Sequence, residues 1–263
     1  MTPNDLSGRT AVVTGGASGI GRATAVALAE AGARVFIGDV QLRTENEERF
    51  QTLSIEQSVC DVTDLGQLRS LIDGAAESTG RLDILVNNAG VVLVGQADEI
   101  GESEWDRCLD TNLKAVFFGV KFALPHMRRS GGGAIVNTAS NAGLLPRAHD
   151  PVYSISKQAV VGLTRSLALC HSKDRIRINC VCPGPVSETE IMDSDLRSQA
   201  DPSAAAERVI AASPLAAALG RMVSPEEVAA AVVYLAGDAA MMVTGTAIAI
   251  DGGKSLGVPP AMT

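Results

Sequence analysis

Short apolar runs and stretches of helical period take turns along the chain from residue 10 to residue 253. TAVVTGG (10–16) is small and β-branched and ends in glycines, which predicts a buried strand. IGRATAVALAEAGA (20–33) repeats alanine and leucine at helical spacing and stops at Gly32, and RVFIGD (34–39) turns apolar again. A strand, a helix and a second strand within about thirty residues read as a parallel crossover unit. The rhythm continues with a strand at 58–60, an amphipathic helix at 64–79, a strand running into a turn at 82–90 and a long helix at 103–129, bent near Pro125. A strand at 133–140, a helix at 153–171 and a strand at 175–185, closed by prolines, follow. Residues 190–213 are polar and alanine-rich, with no strand pattern. SPEEVAAAVVYLAG (224–237) opens with a serine cap, a first-turn proline and early acids, and GTAIAIDGG (245–253) is a last strand. Strands that bury both faces and alternate with helices predict an α/β fold: a doubly wound parallel sheet of seven strands with helices on both sides. No linker or repeat divides residues 1–263, so one domain is expected, with the tail from Gly257 to Thr263 as a loose end or an edge contact.

Composition allows that core, with 46% hydrophobic and 20% charged residues in 263. The net charge of −8 comes with no cluster of lysine and arginine, which argues against nucleic acid as a partner. Five cysteines (60, 108, 170, 180, 182) are odd in number and form no C-x-x-C pair, so they read as reduced core thiols rather than a disulfide frame or a metal site. The opening MTPNDLSGRT lacks the apolar core of a signal peptide, and no apolar run reaches the ~18 residues that span a bilayer. The expected setting is soluble and cytoplasmic, with no membrane partner.

Three local patterns carry chemistry. TGGASGIG (14–21) follows the first strand and opens the first helix, with Gly15, Gly19 and Gly21 spaced to let backbone N–H groups approach a pyrophosphate at the helix N-terminus. Turn-making alone would also explain glycines there. Asp39 ends the second strand, where a carboxylate can accept hydrogen bonds from both adenosine ribose hydroxyls and repel a 2′-phosphate. Ser18 stands before Gly19, where a basic residue would suit NADP, while Arg43 is the one nearby cation that could undercut a choice of NAD. Third, Tyr153 and Lys157 in YSISK share a helix face, so an ammonium can favour the phenolate. Taken alone, such a pair reads first as a surface contact, since Y-x-x-x-K occurs in many unrelated helices.

Taken in order, these motifs resemble the short-chain dehydrogenase/reductase family, in its compact single-domain branch with a Rossmann-type sheet, over about residues 7 to 253. Thr14 to Gly21 matches its T-G-x-x-x-G-x-G. Asp61-Val62 matches the pair that borders adenine, and NNAG (87–90) the signature after the fourth strand. Asn112 in TNLKAVF matches the helix asparagine, and Tyr153 and Lys157 fall 13 and 17 residues after Ser140. PGPV (183–186) and IAIDGG (248–253) resemble the segments near the nicotinamide and at the closing strand. The resemblance implies a catalytic set of Asn112, Ser140, Tyr153 and Lys157. It implies NAD held by Gly15, Ser18, Gly19, Ile20, Gly21, Asp39, Asp61, Val62, Asn88, Ala89, Gly90, Tyr153, Lys157, Pro183, Gly184, Val186 and Thr189. Tyr153 would act as general base or acid, its pKa lowered by Lys157 and the positive nicotinamide. Lys157 would also hold the ribose, Ser140 would bind the substrate oxygen, and Asn112 would place a water. A homotetramer, with the 153–171 helix at a subunit interface, is implied too.

One departure stands out. The family often carries a threonine five residues after the proline of its P-G segment, but that position is Glu188 and Thr189 comes one later. Either the loop shifts by one residue or the contact is lost. Residues 187–213 suit a mobile substrate lid, whose acids argue against a strongly anionic substrate. Asn141, Leu144, Leu145 and Pro146 give a mostly apolar wall, so a neutral secondary alcohol or cyclic ketone is expected. An NADP-dependent 3-oxoacyl-thioester reductase and a non-catalytic dinucleotide-binding protein are the alternatives. Of the histidines, His149 reads as a loop residue with or without a substrate contact, and His126 and His171 as surface residues. Trp105 reads as a packing residue.

Overall fold

In the computed structural model, which describes residues 5–43, 47–145 and 147–257, seven parallel strands form one sheet. They are β1 (Thr10–Thr14), β2 (Arg34–Asp39), β3 (Glu56–Val59), β4 (Ile84–Asn87), β5 (Gly133–Thr138), β6 (Ile176–Pro183) and β7 (Ala247–Ile250), in the spatial order β3-β2-β1-β4-β5-β6-β7. Alternate residues of each strand point to opposite faces, so both faces are apolar. Phe36, Val12, Leu85, Ile135 and Ile178 stand in register across the sheet on one face. There they pack with Leu68, Ile72, Val120 and Met127 of helices α3 (Leu65–Thr79) and α5 (Ala115–Arg129). Val13, Ile37, Val86 and Val136 line the other face with Ala25 and Leu28 of α1 (Gly19–Glu30) and Val228 and Val232 of α10 (Pro225–Ala236). The doubly wound, single-domain Rossmann-type architecture is as expected.

The differences are local. Helix α2 (Glu47–Thr52) has no apolar periodicity to announce it and anchors through the buried Phe50. Strand β3 begins two residues earlier than expected, on polar residues of an edge strand. The long helix is interrupted, though not at Pro125, which lies within α5. After α4 (Glu102–Leu109), a π-helical turn (Asp110–Lys114) inserts the irregularity around Asn112. Helix α6 (Pro151–His171) starts two residues early, because Asp150 and Pro151 form a start signal. Residues 187–213 are helical for most of their length, as α7 (Glu190–Ser198) and α8 (Pro202–Ala211), before α9 (Pro214–Leu219).

Cys170 and Trp105 are exposed rather than packed, whereas the other four cysteines are buried. His126 and His171 are partly buried against Asp73 and Asp174. Among the described residues no helix is long and apolar enough to cross a membrane. Pro146 and the tail beyond Gly257 lie outside the described residues.

The sheet reverses its winding between β1 and β4, and the loops leaving these two strands part there. In open parallel sheets that crevice at the carboxyl ends is where ligands sit. It is bordered by residues 15–21 on one side and 88–91 on the other.

Candidate active site

The glycine loop is shaped by close approach. Gly15 has φ +63°, and a Cβ there would lie 2.9 Å from Ala89 Cα; on Gly21 it would lie 1.9 Å from the Gly15 carbonyl oxygen. Asn88 ties the two loops together, donating from Nδ2 to the carbonyls of Thr14 (3.1 Å) and Gly15 (3.0 Å), while its own N–H donates to Thr14 Oγ1 (3.0 Å). Ser18 precedes α1 without capping it, and the first turn holds no acid. The N-terminal N–H groups of α1 therefore face an open, half-exposed cradle, with Ile20 packed on the core behind them. This cradle suits an anionic group such as a pyrophosphate. Asp39 fixes its flank, accepting from the Ala17 N–H at 2.9 Å. Arg43 pairs with Glu190 of α7 at 2.6 Å.

On the far side, Asp61 closes a tight turn by accepting from the N–H and hydroxyl of Thr63. The Val62 and Val186 side chains are buried in the core, so they reach the crevice chiefly through their main chain. Gly184 stacks so closely on Asp251 that a Cβ would come within 2.8 Å of its Cα. Glu188, the residue before Thr189, takes a left-handed φ of +55°. Thr189, capping α7 through the Met192 N–H, then rests on the glycine loop, its Cγ2 being the nearest atom to a Cβ on Gly19 at 3.2 Å.

Asn112 is fully buried in the π-turn and grips Val91 by both backbone groups, accepting its N–H and donating to its carbonyl at 2.8 Å each. Its second amide hydrogen goes to Ser156 Oγ at 3.1 Å, and Ser156 donates to the Tyr153 carbonyl at 2.7 Å. Only a lone pair of Oδ1 is left for a water, so the visible work of Asn112 is positioning. It pins the turn after β4 to α6. Gly90 lies in the gap, and a Cβ there would meet Asn112 Oδ1 at 3.2 Å and Lys157 Nζ at 3.3 Å.

Lys157 is buried and donates to the Thr138 carbonyl at 3.0 Å. Burial lowers its pKa to about 8. The sign is then fixed: the unfolded chain holds this proton up to about 10.5 and the folded chain releases it near 8, so stability rises with pH between those values. Urea midpoints of wild type and Lys157→Met at pH about 7.5 and 9.5 check this. The wild type should gain relative to the variant as pH rises, and an unchanged difference would rule the titration out.

Tyr153 behaves otherwise than expected. Burial pushes the phenol above its usual value of 10, and Asp150 and Cys108 add to that; a hydrogen bond with Ser140 and the charge of Arg147 pull it back. The Lys157 ammonium lies 5.8 Å from the ring centre and does not overturn the effect of burial. Ser140 Oγ also accepts from the Ala142 N–H at 3.1 Å, which fixes its rotamer beside the phenol. The structure thus gathers Asn112, Ser140, Tyr153 and Lys157 around the ends of β4 and β5, next to the glycine cradle.

Arg147 was not legible as a site residue. It sits in the loop before α6, with its guanidinium carbon 5.8 Å from the Tyr153 ring centre and an ion pair to Asp150 at 2.8 Å. No spacing rule marks such a loop arginine. His149 contacts Arg147 at 3.1 Å and lends its carbonyl to the Gly95 N–H.

A family model described as enoyl-(acyl carrier protein) reductase matches residues 15–255. An uncharacterized oxidoreductase of Thermotoga maritima is 36% identical over 253 residues, 95% of this chain and 99% of the relative. The cis-4-hydroxycyclohexanecarboxylate dehydrogenase of Sinomonas cyclohexanicum is 40% identical over 249 residues, 93% and 96% of the two chains. Among solved structures, the ligand-free aldohexose dehydrogenase of Thermoplasma acidophilum superposes with a TM-score of 0.89 at 31% identity, covering 99% of each chain.

Proposed function

The chain belongs to the short-chain dehydrogenase/reductase family, and from that membership we propose that it transfers a hydride between NAD(H) and a secondary alcohol or ketone. The convergence of Ser140, Tyr153 and Lys157 beside the glycine cradle carries this reading. The dinucleotide, when bound, supplies the hydride acceptor or donor. Gly15 to Gly21 and Thr189 would hold its pyrophosphate, Asp39 its adenosine ribose, and the two remaining N–H groups of Lys157 its nicotinamide ribose. Ser140 Oγ donates a hydrogen bond to the substrate oxygen and steadies the charge that develops there. Tyr153 Oη gives that oxygen its proton in reduction and takes it in oxidation. A phenol held protonated by burial suits the donor role; a nearby positive charge eases the reverse.

NAD is favoured over NADP on two counts. Asp39 holds a carboxylate where a 2′-phosphate would lie, and Arg43 is engaged by Glu190. The segment 187–213, latched at Thr189 and Glu190, acts as the substrate cover. Ile155 (47% exposed) and Leu169 (84%) on α6 are read as part of a homotetramer contact, and the protein as cytoplasmic. A fluorescence titration should give NADH an affinity at least about tenfold above NADPH. A panel of secondary alcohols with NAD, headed by cyclohexanols after the Sinomonas relative, should yield reduced cofactor. Tighter NADPH binding, or turnover confined to acyl thioesters, would replace this reading with the acyl-reductase alternative.

A further inference from the structure

Alcohol oxidation asks for a phenolate, and burial opposes one. The carbinol would give a hydride to NAD⁺ and its hydroxyl proton to Tyr153 Oη, leaving a ketone, NADH and a neutral phenol, so that phenol must first lose a proton to solvent. Among the described residues, the charged and titratable groups that act on Tyr153 are Arg147 and Asp150 in the loop before α6, Lys157 on α6 and Cys108 on α4. Cys108, a buried thiol, and Asp150 bring no positive charge. Lys157, its pKa lowered by burial to about 8, loses its charge over the alkaline range in which phenols ionise. A guanidinium keeps its charge throughout that range.

Arg147 is held in place from two sides. Its guanidinium carbon lies 5.8 Å from the Tyr153 ring centre, within range of cation–π attraction, and its Nη2 lies 2.8 Å from Asp150 Oδ2. The Asp150 carboxylate is fully buried and stands at the N-cap of α6, yet it does not cap the helix. Oδ1 accepts from Ser154 Oγ at 2.9 Å, while Oδ2, which receives no hydrogen bond among the described residues, relies on the Arg147 ion pair. Breaking such a pair would leave a buried charge uncompensated, so the guanidinium is locked over the ring. His149 adds a second tie, with its Nε2 3.1 Å from Arg147 Nη2 and its carbonyl accepting from the Gly95 N–H at 3.1 Å. Beyond it, Lys254 after β7 has its pKa lowered by burial and by the Arg147 charge. We propose that Arg147 is a positioning residue for the reaction: locked by Asp150, its guanidinium supports the Tyr153 phenolate that takes the proton of the substrate. This rests on the hydride-transfer reading. Against burial, Arg147 lowers the pKa of the phenol by more than Asp150 raises it.

The pH dependence of kcat/KM for alcohol oxidation at saturating NAD tests this. Asp150→Asn is the starting point, because it keeps the shape of the side chain and leaves no stranded carboxylate once Arg147 is removed. From Asp150→Asn to the double variant Arg147→Met/Asp150→Asn, the acid limb of the profile should move up by at least about half a pH unit. Arg147→Lys in the same background keeps the charge and should recover most of that shift. Asp150→Asn set against wild type gives a second reading of opposite sign, since the loss of the carboxylate should move the limb down. A structural role for Arg147 would lower turnover at every pH and leave the limb where it was. A limb unmoved between the two backgrounds, a limb that does not fall in Asp150→Asn, or loss of turnover at every pH in a folded double variant each overturns the proposal while the hydride-transfer reading stands. A wild-type protein that oxidises no alcohol with NAD overturns both.

Discussion

Tyr153→Phe is expected to lower kcat about 10³-fold while leaving NADH affinity within about twofold of wild type. The phenol oxygen is an acid or base held beside Ser140 at the crevice, and a positioned proton donor contributes on the order of 10² to 10⁴ in rate. About 4 kcal/mol of activation free energy is at stake. Removing the oxygen should cost the fold little. The ring keeps its contacts with Arg147 and Lys157, whose charged ends each lie 5.8 Å from its centre, and only the interaction of the hydroxyl with Ser140 is lost. The substitution therefore separates chemistry from binding. Steady-state turnover of the best alcohol on the panel, alongside an NADH fluorescence titration, reads both. A variant that kept more than about a tenth of wild-type kcat would remove Tyr153 from the proton-transfer step.

What could be read in the sequence followed from local rules with a period. The seven strands and the helices between them, α2 excepted, were legible because apolar runs and helical spacing are imposed by burial on both sheet faces. The start of α10 was legible because Ser224, Pro225 and Glu227 form a capping box. The glycine cradle, Asp39 and the Tyr153–Lys157 pair sit at fixed offsets from those elements. Three features were hidden because they depend on distant partners. The π-turn at Asn112 is set by the clamp on Val91, across 21 residues. The positive φ at Glu188 is a backbone conformation that residue spacing does not report. The direction of the Tyr153 pKa depends on how much protein covers the phenol, and no helical spacing reports that.

Gly21→Ala is expected to reduce NADH affinity at least about 100-fold, close to 3 kcal/mol, and to cost the fold about 1–3 kcal/mol. The added Cβ would lie 1.9 Å from the Gly15 carbonyl oxygen and 2.5 Å from Asn88 Nδ2. Neither neighbour can give cheaply. Gly15 donates its N–H to the Gly38 carbonyl at 2.7 Å and accepts from Asn88 at 3.0 Å, and Asn88 is held in turn by Thr14 and Thr138. Relief must come from moving the start of α1 away from the loop. That swings its N–H groups off the site where a pyrophosphate would lie and strains the Ala17–Asp39 bond. Gly74→Ala in α3 is the control, because a Cβ there meets nothing within 4 Å. It should raise stability by up to about 1 kcal/mol and leave cofactor binding alone. Urea midpoints and NADH titrations of both variants distinguish a bound-cofactor cradle from an ordinary tight turn. A tight turn predicts that Gly21→Ala loses stability while the surviving folded protein binds NADH as the wild type does, and that outcome would move the dinucleotide out of this crevice.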